Sequence, residues 1–587
     1  MLEQKNVTLE IDGMEVPSFV QLVLSQSINE HHYFEITLDI ETAESYGVEI
    51  PEVSKNWIGK KTVMNFGGTV FVGVITMVGL HRFGGTHGNI KVTGYSATFL
   101  LESEHSCASW LNKSLSDIVK ELTDKAGLQA VVNPETKSKL EYECQYEETN
   151  FRFIQRLARQ YREWLYYDGQ NLVFGKPQAG TAVKLTYGEE LSVLDVCSQA
   201  LARPVRGSSY HSVNDQTYSG QSPDAAVGQN TLGQAAFDSS LTLFTSPAVQ
   251  RPEPRIANKG ELDAYFQRKQ QSDTAASSFI TGESDCRALT AGSVIDVNTA
   301  IHSGVGVVDK NSIGTYIITE ITHVAGMGDS YQNSFTALPS SIPSLPCPDI
   351  SLPVAQAQQA VVVSNEDPKN LGRVQVKMNW QTGAMQTSWI RVLTPDAGTS
   401  GKVATNRGFV FIPEKGDQVM VAFRYNDPNR PFVLGSLFHG KSGTGGGSSN
   451  KTKSLTTRSG CTVTLDDDKG SVTMKDKDNN SYTADGEGNI TISASKSITL
   501  CVGGNSITID SEGNISSSAE KDITESAGTN IIQSAVNITC AAQDKYNISS
   551  TEFTASGSSS AMVSGTAKAT IDSSGITAVT GTIVKLN

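Results

Sequence analysis

The sequence predicts a mainly β protein: a β-barrel base with a few helices, a small OB-fold barrel, and a C-terminal β-helix intertwined from three chains. Three observations predict it. Only 18% of the 587 residues are charged while Gly reaches 52, a balance that suits strands and turns better than long helices. Apolar and polar residues alternate with period two in Phe34-Glu35-Ile36-Thr37-Leu38-Asp39-Ile40, the mark of a half-buried strand. Beyond residue 450, isoleucines recur every eight residues in a Ser-, Thr- and Gly-rich background, and fixed-period self-similarity signals stacked β-structure.

Strands dominate residues 1 to about 105. The continuous apolar run Val70 to Val78 reads as a strand buried on both faces, and Ile90 to Tyr95 follows a glycine-rich loop. Leu115, Ile118, Val119, Leu122 and Ala126 share one helical face, with Gly127 as the stop. Thr149 is placed to cap a second helix carrying Phe151, Ile154, Leu157, Ala158 and Tyr161. Asp168-Gly169 then joins Trp164–Tyr167 to Leu172–Phe174 as a hairpin. Residues 205–275 are polar and give weaker signals: an extended Arg251–Arg255 and helical propensity over 256–277. Strands return at Ser293–Val297 and Gly314–His323. Prolines at 339, 343, 346, 348 and 353 read as a stiff linker closing a base of residues 1–345.

Residues 346–441 carry five candidate strands: 360–363, 372–378, 389–392, 419–425 and 432–434. So many short strands in so small a segment fit an OB-type barrel, with an SH3-like barrel as the rival. A Gly/Ser spacer spans 442–450. In residues 451–587 the steps of eight link Ile490 to Ile498, and Ile507 to Ile515, Ile523 and Ile531, with Gly-Asn turns between. One eight-residue strip has two open edges and one thin apolar face, so it is not stable alone. Three chains wound about one axis supply the missing edges and a core of those six isoleucines. About 17 strands per chain at strand spacing give a rod of roughly 80 Å. A single-chain parallel β-helix is the rival.

The chain resembles VgrG, the trimeric spike family of bacterial type VI secretion systems, itself similar to contractile-phage hubs and spikes. The resemblance is tightest in the barrel. It runs through Gly372, Arg373, Val374 and Trp380, then Trp389 and Arg391, then Pro413, Gly416 and Asp417, and ends at Asp427, Pro428, Arg430 and Pro431. The stretch Tyr146–Phe153 with Arg156-Leu157 resembles the hub's helix-hairpin signature. Leu289–Gly292 and Tyr316–Thr319 resemble the second of its two similar barrels. The resemblance implies a non-enzymatic homotrimer seated on the hexameric Hcp tube and contacting baseplate proteins. It would carry a PAAR-repeat tip and effector cargo through a target envelope on sheath contraction. The blunt tip would be Thr582, Ile583, Val584, Lys585, Leu586 and Asn587. The alternatives are the spike of an extracellular contractile particle or phage tail, a spike with cell-wall hydrolase activity, and a carbohydrate-binding adhesin.

Other signals weigh against rival chemistry. A net charge of −14 argues against a general nucleic-acid or anionic-membrane binder, though it leaves room for a local basic patch. Eight scattered cysteines form no C-x-x-C pair and suit a reducing compartment. With no signal peptide evident, the expectation is assembly in the bacterial cytoplasm and export without a cleaved signal. No membrane insertion, cofactor, metal or catalytic residue is expected. Gly435–Ser442 satisfies a Walker A pattern, but a glycine run follows where a helix is needed. Asp476, Asp478, Asn480 and Glu487 are spaced as in an EF-hand, yet Ser481 stands where that loop requires Gly.

Overall fold

The computed structural model describes residues 7–40, 55–82, 88–177, 180–304 and 307–586, and two compact units emerge, Met1–Gly443 and Thr444–Asn587. In the first, one thirteen-stranded sheet runs through both halves of the base. Strands Val183–Tyr187, Leu191–Ser198, Ser278–Ser284, Tyr331–Pro339, Val307–Gly326 and Val294–Gly304 follow one another around a ring, and the last pairs with the first to close a barrel. The long strand Val307–Gly326 also pairs with Gln21–Ser27, from Glu320 opposite Ser27 to Gly326 opposite Gln21, and so welds the barrel to the N-terminal sheet.

The N-terminal sheet wraps a core that includes Leu22, Phe34, Ile36, Phe71, Ile75 and Ile90, sealed by two helices. Ser114 begins Leu115–Lys125 with a full capping box: its hydroxyl accepts from Asp117 N, and the Asp117 carboxylate accepts from Ser114 N. Thr149 caps Asn150–Tyr161 by accepting from Arg152 N. One expectation fails here. Strand Thr69–Arg82 is buried on one face only: Phe71 and Ile75 point inward, while Val70, Val72 and Val74 are half-buried and Met77 is exposed. Among the described residues its outer apolar face is only partly covered.

The proline-rich segment is also not a free linker. Ile342, Leu345 and Ile350 are buried against the base, Trp164 Nε1 donates to the Pro343 carbonyl, and Asn29 Nδ2 donates to that of Pro346. Proline's missing N–H and fixed φ suit a strap held by its carbonyls and side chains. Residues 205–275 fold into a hairpin, Val205–His211 with Gln216–Gln221, and helices Thr231–Leu243 and Lys259–Asp273.

Two histidines sit where the halves join. His32 Nδ1 accepts from Gln26 Nε2, and Gln26 Oε1 accepts from His323 Nε2 and Thr290 Oγ1. His323 Nδ1 faces the Tyr331 hydroxyl at 2.7 Å. Burial pushes both imidazoles down to about 3 from 6.5. Between those values the unfolded chain binds protons that the folded chain refuses, so stability is complete above the unfolded value and falls as pH drops below it. We expect a loss of about 2 kcal/mol per imidazole near pH 5. Thermal unfolding at neutral and mildly acid pH checks this.

The barrel of residues 358–438 is a four-stranded sheet ordered Gln375–Met378, Gln358–Ser364, Gln418–Phe423, Pro431–Leu437. Residues 389–392 were expected as a regular strand and are not one. They close the barrel through two single bridges, Val374 to Ile390 and Val392 to Val433.

In the second unit the strands pair within the chain, where the eight-residue repeat was read as pairing between chains. An antiparallel five-stranded meander covers Thr452–Ser493 and a three-stranded one covers Ser497–Ser518. Register puts Val463, Met474, Tyr482 and Ile492 side by side on one face, and Thr464, Thr473, Thr483 and Thr491 on the other. In the second meander Ile498 lies opposite Ile509, Leu500 opposite Ile507, and Ile509 opposite Ile515. Among the described residues no strand follows Ser518 in the single chain.

Candidate functional site

The residues that the sequence singles out fall into three places. The first is the seam between barrel and base. Arg156, on the helix Asn150–Tyr161, is completely buried; its Nε donates to Glu148 Oε1 at 2.8 Å and its Nη1 to Glu143 Oε1 at 3.2 Å. Tyr161 donates its hydroxyl to Glu143 Oε2 at 2.9 Å. Asn429, from the barrel, completes the cluster: its side-chain amide donates to Glu143, and its carbonyl accepts from Cys144 N at 2.8 Å. Burial alone would push the Arg156 guanidinium down, but Glu148 and Glu143 outweigh it and hold the group above its ordinary value. Glu143 is pushed up by burial, against the pull of Arg156, Asn429 and Tyr161.

The barrel motif residues surround this seam. Asp427 accepts from Arg430 Nε at 2.8 Å, and Arg430 Nη2 donates to the carbonyls of Pro252 and Pro254 at 3.3 and 2.8 Å. The motif thus grips the extended segment 252–254 of the base, while buried Pro428 and Pro431 fix the corner. Arg373 makes a two-pronged pair with Asp367, Nε to Oδ2 at 2.9 Å and Nη2 to Oδ1 at 2.7 Å, and those bonds draw the Asp367 carboxyl well below the usual carboxylate range. Gly372 turns the chain at φ +67°, where a Cβ would stand 3.0 Å from Ile412 Cδ1. Val374 is in the barrel core, and Trp380 Nε1 donates to Gln358 Oε1 at 2.8 Å. Gly416 N bonds the Val362 carbonyl at 2.9 Å, the Pro413 carbonyl accepts from Asn365, and Asp417 accepts from Glu414 N. These residues build the barrel. Trp389 and Arg391 instead line an open groove on its surface. Asp367→Asn should cost about 3 kcal/mol, because it leaves the buried Arg373 unneutralised. Chemical unfolding of the full chain measures it.

The second place is the unit Thr444–Asn587. Ile490, Ile507, Ile515, Ile523 and Ile531 are 63, 48, 74, 59 and 56% exposed in the single chain, and Ile498 is half-buried. The third is the C-terminal segment 582–587. Ile583, Val584 and Leu586 are exposed, as are Thr582 and Lys585, and Asn587 lies outside the described residues.

The tempting motifs resolve into local structure. Strand Pro431–Leu437 leaves the barrel into turns, not into a helix. Asp476 Oδ1 accepts from Asp478 N and Asn480 N at 2.8 and 2.9 Å, and its Oδ2 from Asn480 Nδ2 at 2.8 Å. Asp485 with Asn489, and Asp510 with Asn514, repeat this turn. Each needs a left-handed residue before the Asn, supplied by Asn479, Gly488 and Gly513. Sequence reasoning missed Glu143 and gave Asn429 no role. A buried carboxylate and its amide partner 286 positions apart leave no local pattern.

This geometry, a two-part base locked to a small barrel, coincides with the limits of two family models. The phage tail baseplate hub (GPD) model matches residues 34–329. The chain belongs to that hub family. The model of the type VI secretion system/phage-baseplate injector OB domain matches residues 358–438, the closed barrel. Among sequence relatives, this hub protein is similar to the type VI secretion system spike proteins VgrG1b and VgrG1a of Pseudomonas aeruginosa. It is 24% identical to the first over 63% of this chain and 25% identical to the second over 60%. It is also 23% identical over 62% of its length to the actin cross-linking toxin VgrG1 of Vibrio cholerae, covering 35% of that protein. The chain spans about half the length of the two Pseudomonas relatives, 52% and 58%. The lidded Francisella PdpA–VgrG complex shares its fold, with a TM-score of 0.52 and 10% identity over 84% of this chain and 80% of that one.

Proposed function

We propose that this hub-family chain is the structural spike of a type VI secretion system. It works as a homotrimer whose base sits on the Hcp tube and baseplate, and whose shaft carries a PAAR-repeat tip and effector cargo through a target envelope. One observation carries the reading: the shaft strands present a continuous apolar face that a single chain leaves in water. Exposed apolar faces of that length mark an interface. Three copies facing one another would bury them and add the edges that residues 519–586 lack alone. The outward apolar face of Thr69–Arg82 and the exposed Phe409, Val410 and Phe411 of the barrel offer further surface for the same assembly.

The role is mechanical and non-enzymatic. The relatives support this by their description as spike proteins; in the Vibrio toxin the matched region is a minor part of that chain. On this reading the protein would assemble in the bacterial cytoplasm and be carried out with the tube. Among the described residues no helix is long and apolar enough to cross a membrane. A phage-tail or extracellular-particle spike is the second reading, favoured by the breadth of the hub family itself. Sedimentation of the full-length protein should give three times the 62.8 kDa chain mass. A single-chain mass would refute the reading. Removing residues 576–587 should leave the trimer intact and abolish retention of a PAAR-repeat cap.

A further inference from the structure

In a chain of net charge −14, five arginines and one carboxylate, Glu141, line one groove of about 390 Å³ between the Val205–His211 strand and the barrel segment 388–393. Three are committed: Arg373 to Asp367, Arg430 to Asp427, and Arg255 to Glu141 at 2.6 Å. Arg391 and Arg424 have no carboxylate within ion-pair distance among the described residues, and the Arg424 guanidinium lies over the Tyr425 ring. His211 Nδ1, in the same wall, is buried with no hydrogen-bond partner. Two guanidinium groups without carboxylate partners, Arg391 exposed and Arg424 half-buried, give this concavity of an acidic chain a local positive field that favours an anionic partner.

The rest of the wall tells which kind of anion. Trp389, Leu393 and Phe432 make much of the lining apolar. Strand Val205–His211 is paired along one edge by Gln216–Gln221, but on the other edge only Val205 and Arg206 are paired. Residues 209–211, beyond that pairing, line the groove. An unpaired strand edge beside alternating apolar and cationic sites is the chemistry that takes an extended peptide. A phosphate or a sugar–phosphate backbone would use the charges and leave the edge and the apolar wall idle.

We infer that this groove binds an extended acidic segment of a partner protein, with its carboxylates on Arg391 and Arg424 and its apolar side chains against Trp389. The site lies wholly within the hub–barrel unit and does not depend on the spike reading.

Fluorescence anisotropy on the full-length protein tests it, using a short labelled peptide of alternating glutamate and valine. Binding should weaken with salt and fall by about tenfold or more for the glutamine counterpart of the peptide. Arg391→Gln with Arg424→Gln should cause a similar loss, with unchanged circular dichroism. The two-peptide comparison on the native protein needs no variant and stands if that variant fails to fold. Equal binding of both peptides, no binding, or preference for a labelled oligothymidylate would each overturn the proposal. So would a change of sedimenting mass in the double variant without peptide binding to either protein, which would make the groove a contact between copies.

Discussion

Replacing Arg156 with methionine should destabilise the hub–barrel unit by about 3–5 kcal/mol, the cost of stranding buried carboxylates. Among the described residues Arg156 is the single cation paired with Glu143 and Glu148, and all three side chains are almost free of solvent contact. Methionine fills much of the same volume, so the loss reports charge and not a cavity. The effect should spread beyond the helix, because Glu143 also receives the Asn429 amide from the barrel. Limited proteolysis should therefore cut the variant at the strap of residues 339–353 before either half unfolds. Adding Glu143→Gln and Glu148→Gln to Arg156→Met should restore part of the stability, since neutral amides cost less to bury than unpaired carboxylates. If the single variant unfolds at the native denaturant concentration, the seam is not held by this cluster.

Changing Ile498, Leu500, Ile507 and Ile509 together to serine should abolish the trimer proposed above. These four face one another across two strands, and all are wholly or partly open to solvent in one chain. Covering them should contribute about 2 kcal/mol apiece in every chain, and serine forfeits nearly all of it. The hub–barrel unit should melt as before, because none of the four belongs to its cores. Sedimentation decides: a fall to single-chain mass is expected, and an unchanged trimer would place the interface elsewhere.

The parts readable in the sequence are those where local chemistry and tertiary context agree. Thr149 and Asp168-Gly169 mark a cap and a hairpin because hydrogen bonds to near neighbours decide them. The alternation in Phe34–Ile40 is read correctly because one face of that strand is buried. Val70 to Val78 misleads for the opposite reason: an apolar outward face looks the same whether another element or another copy covers it. Prolines in 339–353 announce extended backbone but not whether it floats or packs; Trp164 and Asn29, far away in the chain, decide that. In the shaft, periodicity shows repetition and one-sidedness, while pairing within or between chains is set by turns. The Asp476, Asp485 and Asp510 loops reverse the chain tightly enough for each strand to meet its own neighbour. At the seam, the Asp427–Pro431 motif is visible as a string, but its grip on 252–254 and on Glu143 exists only after folding.

Those self-closing loops have a bearing on how such shafts change size over evolutionary time. Each reversal satisfies its own backbone donors, so a hairpin can be duplicated or lost as a unit without rewiring its neighbours. Length would then vary in increments of two strands, roughly 10 Å each, set by gene duplication and not by gradual remodelling.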